Sequence, residues 1–438
     1  MGPASAGPTA RSRFAAAVRA VARRRAPAFV ATGLVVTVGM VFFFSWGPIS
    51  NSKCGCWVAP EDIWGAVRST HFVLWGYYGG IYAAGTQLVT FPGYLLTLLP
   101  AVSLSTGLKL AEPYPLVIRY PSAWLVIGPY TMALGSVVLF ALDGWLERCG
   151  IPRRRRWLAA VIGGSLLWPV LALWGHPEDP IAVALALWAI AAAHERHYAR
   201  SGWLFGAAIA IQPLALLVLP IGLGIVGLKR VVPTTIRAGL PSVALLVVPL
   251  IANFHATARA ILEQPNYPRI DFPTPWMALA PRLSAVSVAA GPGRMIAMVG
   301  ALAIGVWLLL RRDSARDPAQ LLWLGSVAFA LRCVFESVMV PYYVWPVVAL
   351  AVAAAATSSW RRLVIAFAIA SLLCGVTYVH LARWPYWLAM TSLIVLLSAV
   401  AAPQSIRRSS VAGDAGRTVS EGRDVSAEPA AAASAGEG

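Results

Sequence analysis

Residues 174–180 read Trp-Gly-His-Pro-Glu-Asp-Pro, and apolar runs lie on both sides of them. His176, Glu178 and Asp179 thus crowd titratable groups into one turn between two greasy segments. A second acidic pair, Glu61 and Asp62, stands in Pro-Glu-Asp-Ile-Trp, followed by Arg68 and His71. Trp57, Trp64, Trp75, Tyr77, Tyr78 and Tyr82 surround that pair in the sequence. In a third place Arg332 and Glu336 are spaced to share a helix face, and Tyr342 with Tyr343 opens the next apolar run. A carboxylate can take the proton of an attacking hydroxyl. A guanidinium grips phosphate through paired hydrogen bonds. Aromatic faces offer flat surfaces for a sugar ring. Together these types point to glycosyl transfer from a phosphate carrier, with the sugar displaced in line.

The elements that must position them are membrane helices. The chain has 438 residues, 58% hydrophobic and 12% charged, against about 25% charged in soluble domains. Apolar stretches long enough to cross a hydrocarbon core of roughly 30 Å recur from residue 28 to 402. Backbone groups in lipid must be satisfied within the segment, so these are helices. The net charge of +17 does not indicate nucleic acid. The basic residues form no patch interleaved with aromatics; they cluster between apolar runs and at the termini, where they set topology.

Placing every Lys/Arg cluster in the cytoplasm orders the runs. Residues 28–46 go out and 121–142 return to the arginines at 153–156. Residues 157–174 go out and 180–193 return to His194–Arg200. The stretch 203–227 leaves and returns as two short helices broken at Gln212-Pro213. Residues 236–252 go out, 295–310 return, and 320–340 pairs with 341–356, as 362–380 does with 386–402. Segment 85–105 holds Pro92, Gly93 and Pro100 and would invert all later clusters if it spanned, so a re-entrant or interfacial hairpin is expected there. The expectation is an all-α polytopic membrane protein of about twelve transmembrane helices plus this hairpin. An Arg-rich cytoplasmic arm occupies 1–27, a membrane domain 28–402 with external loops 47–120 and 253–294, and a disordered cytoplasmic tail 403–438. The acids, arginines and aromatics then gather on the outer face of a plasma membrane, including His255, Arg259, Glu263, Arg269, Asp271 and Arg282 of the second loop.

Pro-Glu-Asp-Ile-Trp, Gly-Ile-Tyr-Ala-Ala-Gly-Thr-Gln-Leu-Val-Thr-Phe-Pro-Gly, the His176 turn and Gly-Trp-Leu-Phe through Gln212-Pro213 together resemble the GT-C fold glycosyltransferases, most closely the polyprenyl-phosphate-mannose-dependent transferases of actinobacterial glycolipid assembly. The resemblance covers about residues 28 to 400. It implies a polyprenyl-phosphate-linked sugar donor, mannose or arabinose, and a glycolipid or glycan acceptor. It implies a catalytic acid at Asp62, with Glu61 beside it, and a second polar cluster at His176, Glu178 and Asp179. One position departs: the pattern often has Lys before Gln-Pro, where this chain has Ile211, which puts donor-phosphate contacts near Gln212 in question.

Blander roles compete at each position. Glu61 and Asp62 also suit a helix start. Glu178 and Asp179 also favour a helix N-terminus through its dipole, with Pro180 in the first turn. Arg332 and Glu336 also make an ion pair, although charges inside membrane helices usually mark function. His194 to Arg200 reads as a solvated cytoplasmic face. Two carboxylates on one face could hold a divalent cation, and no other cofactor is indicated. No zinc spacing exists among the five cysteines. A flippase of lipid-linked sugar would show related halves and polar residues near the midplane; no internal repeat is evident and the acids lie at helix ends. A non-catalytic scaffold is the third reading.

Overall fold

The computed structural model describes residues 20–46, 92–107, 124–252, 254–262, 266, 272–311, 317–377, 379 and 381–403. Glu61, Asp62, Arg68 and His71 lie outside the described residues. So do Glu263, Arg269, Asp271, Cys54 and Cys56.

The described chain is helical, with only isolated β-bridges. Its helices are α1 Ala26–Trp46, α2 Pro92–Gly107, α3 Trp124–Gly135, α4 Val137–Arg148, α5 Arg153–Ala172, α6 Glu178–His194, α7 Tyr198–Ile211, α8 Leu219–Val226, α9 Leu228–Ala252, α10 Phe254–Leu262, α11 Pro292–Leu310, α12 Pro318–Phe335, α13 Pro341–Ser358, α14 Trp360–Val376 and α15 Arg383–Ala401. Among the described residues, five stretches are long and apolar enough to cross a membrane: 126–148, 292–310, 318–335, 341–358 and 383–401.

Two helices are apolar all round and fill the centre. Every residue of α13 from Tyr343 to Ala356 is buried, as is nearly all of α6. A helix without a polar face belongs in an interior. The outer helices do the reverse. Leu228, Val232, Ile236, Leu240, Val243, Val247 and Ile251 of α9 are exposed at three- and four-residue spacing. Met295, Val299, Leu302, Val306 and Leu310 repeat this on α11. Exposed apolar stripes of this extent are surfaces for lipid. Glycine sets the close seams between helices. On Gly206 of α7, an added Cβ would fall 2.6 Å from the Pro241 ring of α9; on Gly224 of α8, 2.6 Å from the Gly305 carbonyl of α11.

The arginine clusters share one end of the bundle. Arg148 pairs with Glu195 across α4 and the end of α6 at 2.9 Å. Arg155 donates to the Ala356 carbonyl of α13 at 3.1 Å, and Arg362 of α14 to the Ala402 carbonyl after α15 at 2.7 Å. Asp143 of α4, 2% exposed, joins both Arg156 of α5 at 2.7 Å and Arg25 before α1 at 2.9 Å. Glu147 adds contacts to Arg24, Arg25 and Arg156. Four arginines open α5, against its dipole; these acids provide the compensation. Just beyond α4, burial pushes the Cys149 thiol up to about 12, so it stays protonated and unreactive at neutral pH.

The break expected at Gln212-Pro213 is present. Other boundaries differ. The run expected over 236–252 begins at Leu228, because its first turns are amphipathic rather than apolar and carry Lys229, Arg230 and Arg237. The run expected over 320–340 ends at Phe335, where Glu336 turns extended at ψ 154°. Within 85–105, expected as a re-entrant or interfacial hairpin, Pro92–Gly107 is one helix that continues through Pro100, and 85–91 lie outside the described residues. Proline costs a helix one hydrogen bond and a clash with the preceding turn, and here that turn accommodates it. The N-terminus of α2 lies against α7, where an added Cβ on Gly93 would strike the Ala210 carbonyl, and Thr97 accepts from Tyr130 of α3 at 2.6 Å.

Breaking a buried ion pair by removing one partner costs about 3–5 kcal/mol. Asp143→Asn is expected to destabilise the detergent-solubilised chain by an amount in that range, read as a lower thermal unfolding midpoint. Glu147→Gln, whose side chain is 25% exposed, should cost less. Equal midpoints for Asp143→Asn and the parent chain would show that the cluster does not anchor the basic end.

Candidate functional site

The end of the bundle opposite the arginine clusters gathers a second set of charged side chains. Its first wall is the turn between α5 and α6. Gly175 adopts φ +70°, a left-handed conformation that glycine takes at little cost. The reversal lets the His176 amide bond the Val170 carbonyl at 3.0 Å. Pro177 caps α6, and Glu178 with Asp179 fill its first turn, where the helix dipole favours negative charge. Both acids are buried, at 1% and 0% exposure.

Each is held in place. His176 Nδ1 lies 2.8 Å from Glu178 Oε1. The imidazole stacks on the Tyr342 ring with centroids 3.4 Å apart and planes 19° apart. Asp179 Oδ1 accepts from Gln212 Nε2 at 2.8 Å. Gln212 reaches it because α7 stops there: Pro213 cannot donate to a continuing helix, and Gln212 turns extended at φ −151°.

The second wall is the junction of α12 and α13. Glu336 caps the C-terminus of α12 and is 1% exposed. Arg294, in the first turn of α11, binds it through Nε at 3.1 Å and Nη2 at 3.2 Å. Arg332 approaches the same carboxylate at 3.8 Å and lies over the Tyr343 ring at 3.6 Å, a cation–π distance. Tyr342 and Tyr343 meet edge to face at 4.8 Å. The His176–Tyr342 stack joins the turn before α6 to the start of α13, so the two walls belong to one cluster. A short strap covers it: Thr274 donates through Oγ1 to the Glu336 carbonyl at 2.6 Å, and the Met339 amide donates to the Phe272 carbonyl at 2.8 Å.

The structure thus brings together His176, Glu178, Asp179, Gln212, Arg332, Glu336 and Tyr342. In the second loop Arg282 and His255 are exposed, and the side chain of Arg259 lies outside the described residues. Arg294 makes the closest contact to Glu336, yet sequence reasoning did not single it out. A signal was available: a lone arginine after Gly-Pro-Gly, in the first turn of an apolar helix, opposes the helix dipole and demands an anion. The approach needs Gly293, because a Cβ there would fall on the Phe335 carbonyl of α12. Among the described residues no three His, Cys, Asp or Glu side chains form a metal-ligand group. The Glu178 Oε1 and Asp179 Oδ1 oxygens are directed at His176 and Gln212 instead.

Stacked ring pairs contribute about 0.5–1.5 kcal/mol beyond burial. A double-mutant cycle of His176→Ala and Tyr342→Ala, read by thermal unfolding in detergent, should return a coupling of that size. A coupling of zero would mean that the two rings do not support one another. Among known proteins, the chain matches no protein-family profile and no curated protein.

Proposed function

We propose that this chain is a multi-pass plasma-membrane glycosyltransferase of GT-C type, moving a sugar from a polyprenyl-phosphate donor to a glycolipid or glycan acceptor. The observation that supports it most is the convergence of two guanidiniums, Arg294 and Arg332, with a His176–Tyr342 stack and the Asp179–Gln212 pair, away from the arginine-rich end. In this reading about twelve helical passes cross the bilayer. Both termini and the basic end are cytoplasmic, and the cluster faces outward.

The depth of the cluster suits a lipid-tailed substrate. From the basic end, α6 has 17 residues and α7 has 14, lengths of about 25 Å and 21 Å against a hydrocarbon core of roughly 30 Å. Asp179 and Gln212 then lie below the outer membrane surface. A donor whose tail stays in the bilayer reaches that level without leaving it.

The roles follow from chemistry. Asp62 takes the proton of the acceptor hydroxyl, with Glu61 beside it. The acceptor oxygen bonds to the anomeric carbon as the bond from that carbon to the phosphate oxygen breaks. The polyprenyl phosphate leaves carrying the electron pair. Arg294, whose side chain is 33% exposed, is the accessible guanidinium for that phosphate, and Arg332 backs it from beneath. Arg68, His71 and the Tyr342 face line the sugar, while His176, Glu178 and Asp179 fix its orientation.

Transfer of radiolabelled sugar from polyprenyl-phosphate-mannose, and from the arabinose analogue, to membrane lipids tests this with the purified full chain. Asp62→Asn should abolish transfer at equal expression. Arg294→Ala should lower it about tenfold to a hundredfold, the loss of one hydrogen-bonded charge. Undiminished transfer by Asp62→Asn would sink the base assignment. No transfer by the parent chain from any polyprenyl-phosphate sugar would sink the enzyme class.

A further inference from the structure

At the basic end, the turn between α6 and α7, the start of α7 and α9 enclose a groove of about 460 Å³ lined by Arg196, His197, Arg200, Arg230, Thr234 and Arg237, among others, with no carboxylate in its lining. The nearest acid, Glu195, already holds Arg148 at 2.9 Å and lies 3.7 Å from His197. The groove has a built floor. Arg237 donates to the Pro233 carbonyl at 3.1 Å. Its side chain packs where Gly202 leaves room, since a Cβ on that glycine would fall 2.8 Å from Arg237 Cβ. Thr234, 1% exposed, has a hydroxyl without a hydrogen-bond partner among the described residues.

Arg196 carries a second signal. The His197 amide bonds the Ala192 carbonyl at 2.7 Å and the Arg196 amide bonds the Ala193 carbonyl at 3.0 Å, which together form a Schellman motif. The motif requires a left-handed residue, and Arg196 has φ +63°. At the matching place after α4 the chain uses Gly150, φ +70°. The α6 terminus thus bears backbone strain in a residue whose guanidinium lines the groove. Helix packing alone would favour glycine there.

We propose that this groove binds a phosphate ester, carried on the headgroup of an anionic lipid. Clustered guanidiniums with no counter-charge suit phosphate oxygens, and basic pockets between helices at the membrane edge suit lipid headgroups. The source follows from the surroundings. Trp203, Val232, Ile236 and Leu240 on the same two helices are exposed, so acyl chains have an apolar surface beside the groove. This site lies at the opposite end of the bundle from the proposed transferase cluster and does not depend on that reading.

The experiment uses the full chain in detergent, with thermal stabilisation and native mass spectrometry as readouts. The added ligands are phosphatidylglycerol, phosphatidylcholine or inorganic phosphate. Phosphatidylglycerol should stabilise the parent chain and remain bound, and the other two should not. Arg196→Gly relieves the backbone, so without lipid it should unfold at or above the parent temperature. It should nevertheless bind phosphatidylglycerol about fivefold more weakly, as expected for one arginine near a lipid surface. Arg230→Gln, at an exposed position, should show the same loss. Equal binding by parent and both variants would overturn the site, and saturable stabilisation by inorganic phosphate alone would overturn the lipid source.

Discussion

A single carboxylate holds the basic end of this bundle together. Asp143 is buried among three helices and receives both the Arg156 fork and Arg25. An unpaired charge at such a place costs more than most single contacts contribute. The arginines meanwhile must stay near an aqueous edge. Both requirements are met by setting α1, α4 and α5 in register at that edge. Once this register is fixed, the far ends of α5 and α6 are fixed too, and so is the height at which the His176 turn lies.

Glu336 plays the corresponding part at the other end. It gathers α11 through Arg294 and α12 through Arg332, next to Tyr342 and Tyr343 of α13. The two anchors are built differently. At Asp143 two arginines, Arg25 and the buried Arg156, converge on one buried acid. At Glu336 the acid and its arginines lie beside Tyr342, whose stack on His176 brings the buried acids Glu178 and Asp179 into the same polar island. The first arrangement orients a helical bundle. The second concentrates charges of both signs among aromatic rings, which an orienting role alone does not require.

Much of this was legible in the sequence because lipid imposes strict patterns. Apolar run length pointed to the helices. Gln212-Pro213 gave the break, since proline cannot continue a helix by donating. The meeting of His176, Asp179, Gln212, Arg332 and Tyr342 was also expected, because all lie at run ends on one side. Arg294 was hidden, because its meaning depends on Gly293 letting α11 touch α12, a tertiary event. The helix through Pro100 was hidden for a related reason, as proline in a membrane helix depends on its neighbours. The early start of α9 was missed because its first turns are amphipathic, so an apolar window passes over them.

The shortness of α7 bears on how the protein is made. Its 14 residues end in a polar turn, and such a turn is costly in hydrocarbon until another chain segment satisfies it. Asp179 supplies the partner for Gln212, and Asp179 belongs to α6. Chains emerge from the ribosome N-terminus first. The acceptor is therefore already synthesised when the segment that needs it follows, and the hairpin of α7 and α8 has a docking place without waiting for the rest of the chain.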